Sequence, residues 1–368
     1  MLSIWRGKLS CYGRISTVPA VKVGFSPLDQ ELKLVKHSWT PETIQQALCL
    51  GVEIPSVRRA AERFEALTKV PLSKSSMAAL LKEYGGQLVA VQEKEAEEAC
   101  RPPDKDEVIS PRALPEPDAP VMAVSLDGVM INVRGEGWKE VKVASISAVE
   151  AVKGEPGEEP KVQLSRHSYR AGLWEAATFA KQQWAEACRR GVAKARQVVC
   201  VSDGAVWIWN IILTCYVACI QVIDWWHAVQ KLWEIGGILL GEKGDEAKTW
   251  VERLKDLLWA GDLRGLMHEI RLHCPRSVTL PENLGALIGY FYRHRKRMTY
   301  QAFRKAGYPI GSGTVESGCK VVVQERMTQA GMRWSRAGAQ AMLALRCLLL
   351  SDRWDTEWTS MFPALSPP

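Results

Sequence analysis

Nineteen consecutive residues without a charge, Ala205 to Ile223, most limit how this chain can fold. The run is long enough to cross a bilayer. It nevertheless contains Asn210, Thr214 and Gln221, and Asp203 and Asp224 stand close to its ends. An apolar run interrupted by amides and fenced by carboxylates reads as a helix followed by a strand, both buried in a large core. A chain of 368 residues, 47% of them apolar, can supply that core. The expectation is a soluble α/β protein with no membrane segment.

The flanking sequence extends the reading. "QVVCVSDG" at 197–204 is a buried strand ending on Asp203, and "VACIQVID" is another. Upstream, 121–150 divides into three strands: "VMAVSLD", punctuated by Gly128, then "VMINVR", then "KEVKVASISAV" after a glycine-rich turn. Between the two groups, 172–190 has helical periodicity, with Leu173, Ala176, Ala180, Trp184 and Ala187 on one side. Three antiparallel strands followed by alternating helix and strand is the order of a ribonuclease H-like α/β core with a mixed sheet. Residues 224–299 lack any strand signal and hold five of the 15 Trp, as an all-α insertion would. The core resumes over 300–358, and 359–368 is a tail.

At the other end, 38–92 reads as short helices in a helix-turn-helix-like module. Thr40 and Ser73 start helices and Gly51 stops one, while Val57, Ala60, Ala61, Phe64 and Leu67 form a stripe. DNA binding and simple packing are equally good uses for such a module. Residues 93–120, with six prolines, nine acids and four Lys/Arg, form an acidic linker. Residues 1–37 are an unassigned leader with a superficial likeness to a transit peptide. Ten Cys without a C-x-x-C, and six scattered His, exclude a zinc finger and favour reduced thiols in a cytoplasmic protein.

Asp127 and Asp203 each end an apolar strand and precede a glycine. Acids beyond strand carboxyl ends face the cleft where α/β proteins bind ligands. With a third acid they can hold divalent cations for phosphoryl transfer. Taken singly, each Asp-Gly is more simply a turn. The third acid is Glu316 or Glu325, which nine residues of helix put on opposite faces. Glu316 follows Gly311, Gly313 and a Thr314 cap, so it falls in a first helical turn, with Lys320 on the same face.

These residues carry a resemblance. "SLDG" at 125–128, "SDG" at 202–204, "MTYQAFRKAGYPIGSGTVESGCKVVVQERM" from 298, "GMRW" at 331–334 and "LALRCLLLSDRWDTEW" at 343–358 resemble the Kra-four family of bacterial insertion-sequence transposases. The likeness spans roughly 121–358, and the block around Glu316 is its specific part. It implies a ribonuclease H-like, Asp-Asp-Glu enzyme with Asp127, Asp203 and Glu316 as catalytic, metal-binding acids. The implied cofactor is two Mg²⁺ ions, with Mn²⁺ as an alternative. The implied partners are terminal inverted repeats and target DNA, engaged by a homo-oligomer associated with the nucleoid. "DWWH" at 224–227 is similar to an Asp-x-x-His of related Mutator-like transposases. It makes Asp224 and His227 auxiliary residues near the site, or else only a cap for the insertion's first helix. His227 is not read as a metal ligand. The chain departs from the family at Thr328, where a Lys is expected.

The formal charge of +7 is unevenly spread. Ten Lys/Arg against two acids fall between Tyr290 and Arg336, leaving the rest of the chain nearly neutral. Within that block Arg297, Arg304, Lys305, Lys320, Arg326, Arg333 and Trp334 are candidate DNA contacts, the aromatics interleaved to stack on unpaired bases. The function expected is DNA cleavage and strand transfer by 3′-hydroxyl attack. A ribonuclease H-like nuclease or resolvase, and a catalytically silent DNA-binding protein, are the alternatives.

Overall fold

The computed structural model describes residues 39–104, 113–152, 161–241, 244–274 and 282–361, so the leader lies outside the described residues. Three helices come first: α1 (Pro41–Glu53), α2 (Val57–Thr68) and α3 (Lys74–Ala99). Strands β1 (Val121–Val133), β2 (Gly137–Val152) and β3 (Lys161–Gly172) follow, then α4 (Ala176–Arg189), β4 (Gln197–Ser202), α5 (Val206–Cys215) and β5 (Ile220–Ile223). Four helices come next: α6 (Trp225–Leu240), α7 (Asp245–Ala260), α8 (Leu263–His273) and α9 (Glu282–His294). The chain closes with α10 (Tyr300–Lys305), α11 (Gly313–Gly318), α12 (Arg336–Leu350) and α13 (Trp354–Met361).

The strands form one mixed sheet in the order β3-β2-β1-β4-β5. The first three are antiparallel, and β1, β4 and β5 are parallel. Along β1 the pleat sends Met122, Val124 and Leu126 into one core and Val129, Ile131 and Val133 into the other. The charge-free run is α5 followed by β5, both packed in the core of Met122, Val124 and Leu126. Among the described residues no helix is long and apolar enough to cross a membrane, and all nine described cysteines are free thiols.

Several expected boundaries move. The first two expected strands are one, because Asp127 and Gly128 pair with Val143 and Lys142 inside the ladder. Gly128 is therefore no turn. The Glu140 side chain crosses it so closely that a Cβ would lie 2.4 Å from Oε1. The third antiparallel strand is β3, whose inward positions are occupied by the buried polar residues Ser168 and Arg170. Polar residues on the buried face hide the alternation that reveals a strand. Helix α4 consequently starts at Ala176, since Gly172 still pairs with Lys142.

At the N-terminus Thr40 and Ser73 cap α1 and α3 as expected, accepting from Thr43 N–H and Ser76 N–H. Gly51 does not end α1; it lies within it, against Met77 and Leu81. Helix α3 is 26 residues long and continues through 93–99, into the expected linker. Met77, Leu80, Leu81, Tyr84 and Leu88 are buried at helical spacing, in the same core as Met342 and Leu345 of α12. The N-terminal helices thus share the core that covers one face of β1–β3.

A charged network reinforces this junction. Fully buried Glu186 of α4 lies among Arg170 of β3, Arg189, and Arg353, which precedes α13; Arg170 also reaches Glu95 of α3 at 3.0 Å. Burial opposes ionisation of Glu186, yet Arg189 and Arg170 hold its pKa below the ordinary value.

Candidate functional site

The parallel register aligns three aspartates. Val121 through Val124 of β1 pair with Gln197 through Cys200 of β4. Val199 through Ser202 of β4 pair with Ile220 through Ile223 of β5. Continued past the strand ends, these registers set Asp127, Asp203 and Asp224 level on three neighbouring strands, roughly 4.8 Å apart per strand. The β1–β4 ladder has ended by this level, and Leu126 N–H donates instead to buried Ser202 Oγ at 3.0 Å. That bond keeps the two strands together just before their acids.

Each aspartate has different work. Asp127 Oδ1 accepts from Gly128 N–H at 2.7 Å, and Oδ2 receives the Cys319 thiol at 3.5 Å. Asp203 Oδ1 accepts from Ala205 N–H at 2.8 Å. Asp224 is fully buried and accepts four hydrogen bonds. His227 N–H (2.8 Å) and Nδ1 (3.1 Å) reach Oδ1, and Ser312 N–H (2.5 Å) and Oγ (3.0 Å) reach Oδ2. Four bonds use all the lone pairs of a carboxylate.

Glu316 arrives from the far end of the chain. Helix α11 lies so close to the sheet at Gly318 that a Cβ there would sit 2.9 Å from the Tyr169 ring. Ser312 caps α11 through its carbonyl, which accepts from Val315 N–H and Glu316 N–H, so Thr314 is inside the helix and not its cap. The Ser312 hydroxyl also lies 3.1 Å from Glu316 Oε1, and its single proton serves Asp224 or Glu316 at any moment. Ser312 therefore joins the Asp224 level of the sheet to the Glu316 helix. After α11 the chain widens into a π-helical stretch, Cys319–Gln324. Such segments are common at functional sites.

The electrostatics favour a cation. Burial raises the pKa of Asp127 and nearby Asp203 adds to it, against the Gly128 and Cys319 hydrogen bonds. Burial would also raise Asp224, but the His227 and Ser312 hydrogen bonds prevail and lower it. His227 is raised, first by its bond to Asp224 and further by Asp203 and Glu316. Among the described residues Asp224, His227 and Glu316 bring ligand atoms within 4.8 Å of one another, a grouping able to hold a divalent metal ion. The grouping includes His227, which the sequence reading did not take as a metal ligand, and the Ser312 hydroxyl divides its proton between its two carboxylates, Asp224 and Glu316. Asp127 and Asp203, expected beside Glu316, are not part of this grouping among the described residues.

The expected DNA contacts divide. Arg326 is 1% exposed: its guanidinium donates to Gly51 O at 3.1 and 3.4 Å, in the last turn of α1, and lies 5.5 Å over the Trp334 ring. Arg346 donates to Val52 O and Val322 O, so two buried arginines satisfy the end of α1 and the π-helical stretch. Neither can face DNA. Trp334 is also committed, its Nε1 donating to Met327 O and its backbone bonded to Asn132 and Arg134. Arg297 is held by Gln221 at 2.8 Å and lies 4.0 Å over Trp209. Each of these side chains occupies an orphan carbonyl or an aromatic face within the fold, a role composition cannot distinguish from solvent exposure. Lys305, Lys320 and Arg333 are exposed and Arg304 half-exposed.

Ser312, Ser202 and Cys319 were not evident as site residues. The Gly-Ser-Gly lead-in to Glu316 reads as flexible, yet Ser312 is 2% exposed.

No protein-family model matches the chain, and no curated protein sequence matches it. Among solved structures, the Drosophila P element transposase strand transfer complex aligns with a TM-score of 0.24 and 8% identity, over 89% of this chain and 84% of that one. A similarity this loose fixes neither fold nor function.

Proposed function

We propose that this protein is an insertion-sequence DNA transposase of the Kra-four kind, with a ribonuclease H-like core in which Asp127, Asp203 and Glu316 are the catalytic acids. One observation carries the reading. Two parallel registers bring aspartates 76 and 21 residues apart to one level of the sheet, and the Ser312 hydrogen bonds tie Glu316 to that level.

The three acids would hold Mg²⁺ or Mn²⁺. When bound, such ions activate an attacking oxygen and stabilise the leaving oxygen at phosphorus. The chain's own residues supply positioning. Asp224 fixes Ser312 and His227, and through them the approach of Glu316. His227, whose pKa is raised by its contact with Asp224, lies 3.9 Å from Glu316 and would donate to a phosphate oxygen. Water would attack the phosphodiester at the element end, releasing a 3′-hydroxyl. That hydroxyl would then attack target phosphorus, forming one P–O bond as the target's own 3′-oxygen leaves. Exposed Lys305, Lys320 and Arg333 would contact phosphates. The exposed faces of α2 and the start of α3, including Arg59, Arg63, Lys74 and Lys82, would contact terminal repeats within a homo-oligomer on DNA.

The test is to incubate the protein with labelled element ends, a target plasmid and Mg²⁺. Joined products support transposition. Cleavage without joining means a nuclease, and binding without metal-dependent cleavage means a silent DNA-binding protein.

A further inference from the structure

The helical insertion carries three neighbouring cavities. The first, of about 1130 Å³, is lined by Lys231, Trp233, Lys248, Tyr290 and Arg293 and by two acids, Glu234 and Asp245. The second, of about 530 Å³, lies where the end of α9 meets β5, and its wall holds Arg293, Arg295, Lys296 and Arg297 with no acid. The third, of about 400 Å³, is lined by Arg264, Arg271, Tyr292 and Arg295, again without an acid. Arg293 lines the first two cavities and Arg295 the last two, so the three are neighbours around the end of α9.

The cavities start at the carboxylates. The Tyr290 ring rests against Gly204, one residue beyond Asp203, closely enough that a Cβ there would lie 2.2 Å from Cε2. In the second cavity Gln221 is three residues of strand, about 10 Å, from Asp224.

The charges along the cavities are available. Lys248, Arg264, Arg271, Arg293 and Lys296 have no ion-pair partner among the described residues, whereas Lys231 is paired with Glu234 at 2.9 Å. Aromatic faces alternate with them. Tyr292 is 67% exposed and Trp233 41%, and Trp226, on the same face of α6 as Trp233, is 68% exposed beside His227.

We infer that these neighbouring cavities form a track for a single polynucleotide strand, which leaves the carboxylate site at Tyr290 and runs over the insertion to Arg271. Unpaired cations meet phosphates, and exposed rings stack unpaired bases without regard to sequence. The exposed rings favour a single strand, because in a duplex the bases are already stacked on one another. The inference deepens the transposase reading and rests on it for the strand's origin: the DNA continuing past the scissile phosphate.

The experiment measures fluorescence anisotropy of the full chain, without metal, on a labelled 20-nucleotide oligothymidylate and on a duplex of equal length. Wild type is compared with Arg293→Ala/Lys296→Ala, Arg264→Ala/Arg271→Ala and Trp233→Ala, each checked for an unchanged melting curve. The expected result is at least tenfold weaker oligothymidylate binding in every variant, with smaller losses on duplex. The salt dependence of single-strand binding should fall by about 0.7 in log–log slope per cation removed. Unchanged oligothymidylate binding overturns the track, as do equal losses on duplex, or competition by poly-glutamate as effective as by oligonucleotide. Asp203→Asn separates the two levels of interpretation, because it should retain wild-type strand binding while losing cleavage. A wild type that binds through the track but never cleaves DNA refutes the transposase and leaves the track standing. Cleavage by a wild type whose strand binding ignores all three changes refutes the track alone.

Discussion

Replacing Asp224 with Asn separates a positioning acid from a catalytic one. The carboxylate accepts four hydrogen bonds, two at each oxygen, in a fully buried setting. Asn keeps one acceptor oxygen and turns an NH₂ towards the other two donors. Ser312 Oγ or His227 Nδ1 can turn to accept from that NH₂, but the backbone N–H beside it cannot, so one bond to a charged group is lost and Asp224→Asn should lose about 1.5–3 kcal/mol of stability. Asp127→Asn should behave oppositely: burial already disfavours the charge of Asp127, and a neutral isostere should hold or raise stability while activity disappears. Urea unfolding of both variants beside wild type reads the difference. The pH dependence checks its origin. The pKa of His227 is raised above 6.5 in the fold, so its contribution is full below that value and is lost as pH rises through the native pKa. Asp224 is lowered below 3.8, so its contribution persists above that value and is lost as pH falls through the native pKa. The gap between wild type and Asp224→Asn should therefore be widest between these limits and narrow in alkali. An Asp224→Asn protein within about 1 kcal/mol of wild type at pH 6 would refute the hub, since even one charged hydrogen bond is worth more.

Three further outcomes are expected. Glu186→Ala leaves buried Arg170 with only Glu95 for a partner, and calorimetry should show a loss of about 3–5 kcal/mol. Arg326→Ala strips Gly51 O of its donors and should cost about 1–3 kcal/mol in urea unfolding, with no change in the salt slope of DNA binding; a reduced slope would restore Arg326 as a phosphate contact. Because Asp127 is raised above the ordinary carboxylate value, protons should begin to displace Mn²⁺ at a higher pH than an exposed carboxylate would allow, as a pH series of metal titrations would show.

Strands β4 and β5 and helix α5 were legible because buried β-strands leave apolar runs, and the run from Ala205 to Ile223 could hardly be anything but α5 and β5. Asp127 was singled out for a partly mistaken reason: it lies within a long strand, and the level it shares with Asp203 depends on the parallel register, which no local pattern encodes. The β3 strand stayed hidden because Ser168 and Arg170 are polar yet buried, Arg170 against Glu186 and the sequence-distant Glu95. The same limit applies to the basic block. Composition located ten cations, but only packing separates Arg326, used to close α1, from exposed Lys320. Ser312 illustrates it most sharply: between two glycines it looks like a hinge, whereas its partners 88 residues upstream and 4 downstream make it a joint.

Cation binding tests the central claim most directly. Mn²⁺ titrated into wild type, Asp127→Asn, Asp203→Asn and Glu316→Gln, followed by electron paramagnetic resonance, reports the site without needing DNA. Tight binding in wild type, weakened at least tenfold in each of the three variants while their unfolding curves stay cooperative, is the result this account predicts. Undiminished Mn²⁺ binding in the Asp127 and Asp203 variants, with loss only in Glu316→Gln, would move the metal to the Asp224–His227–Glu316 grouping and contradict it.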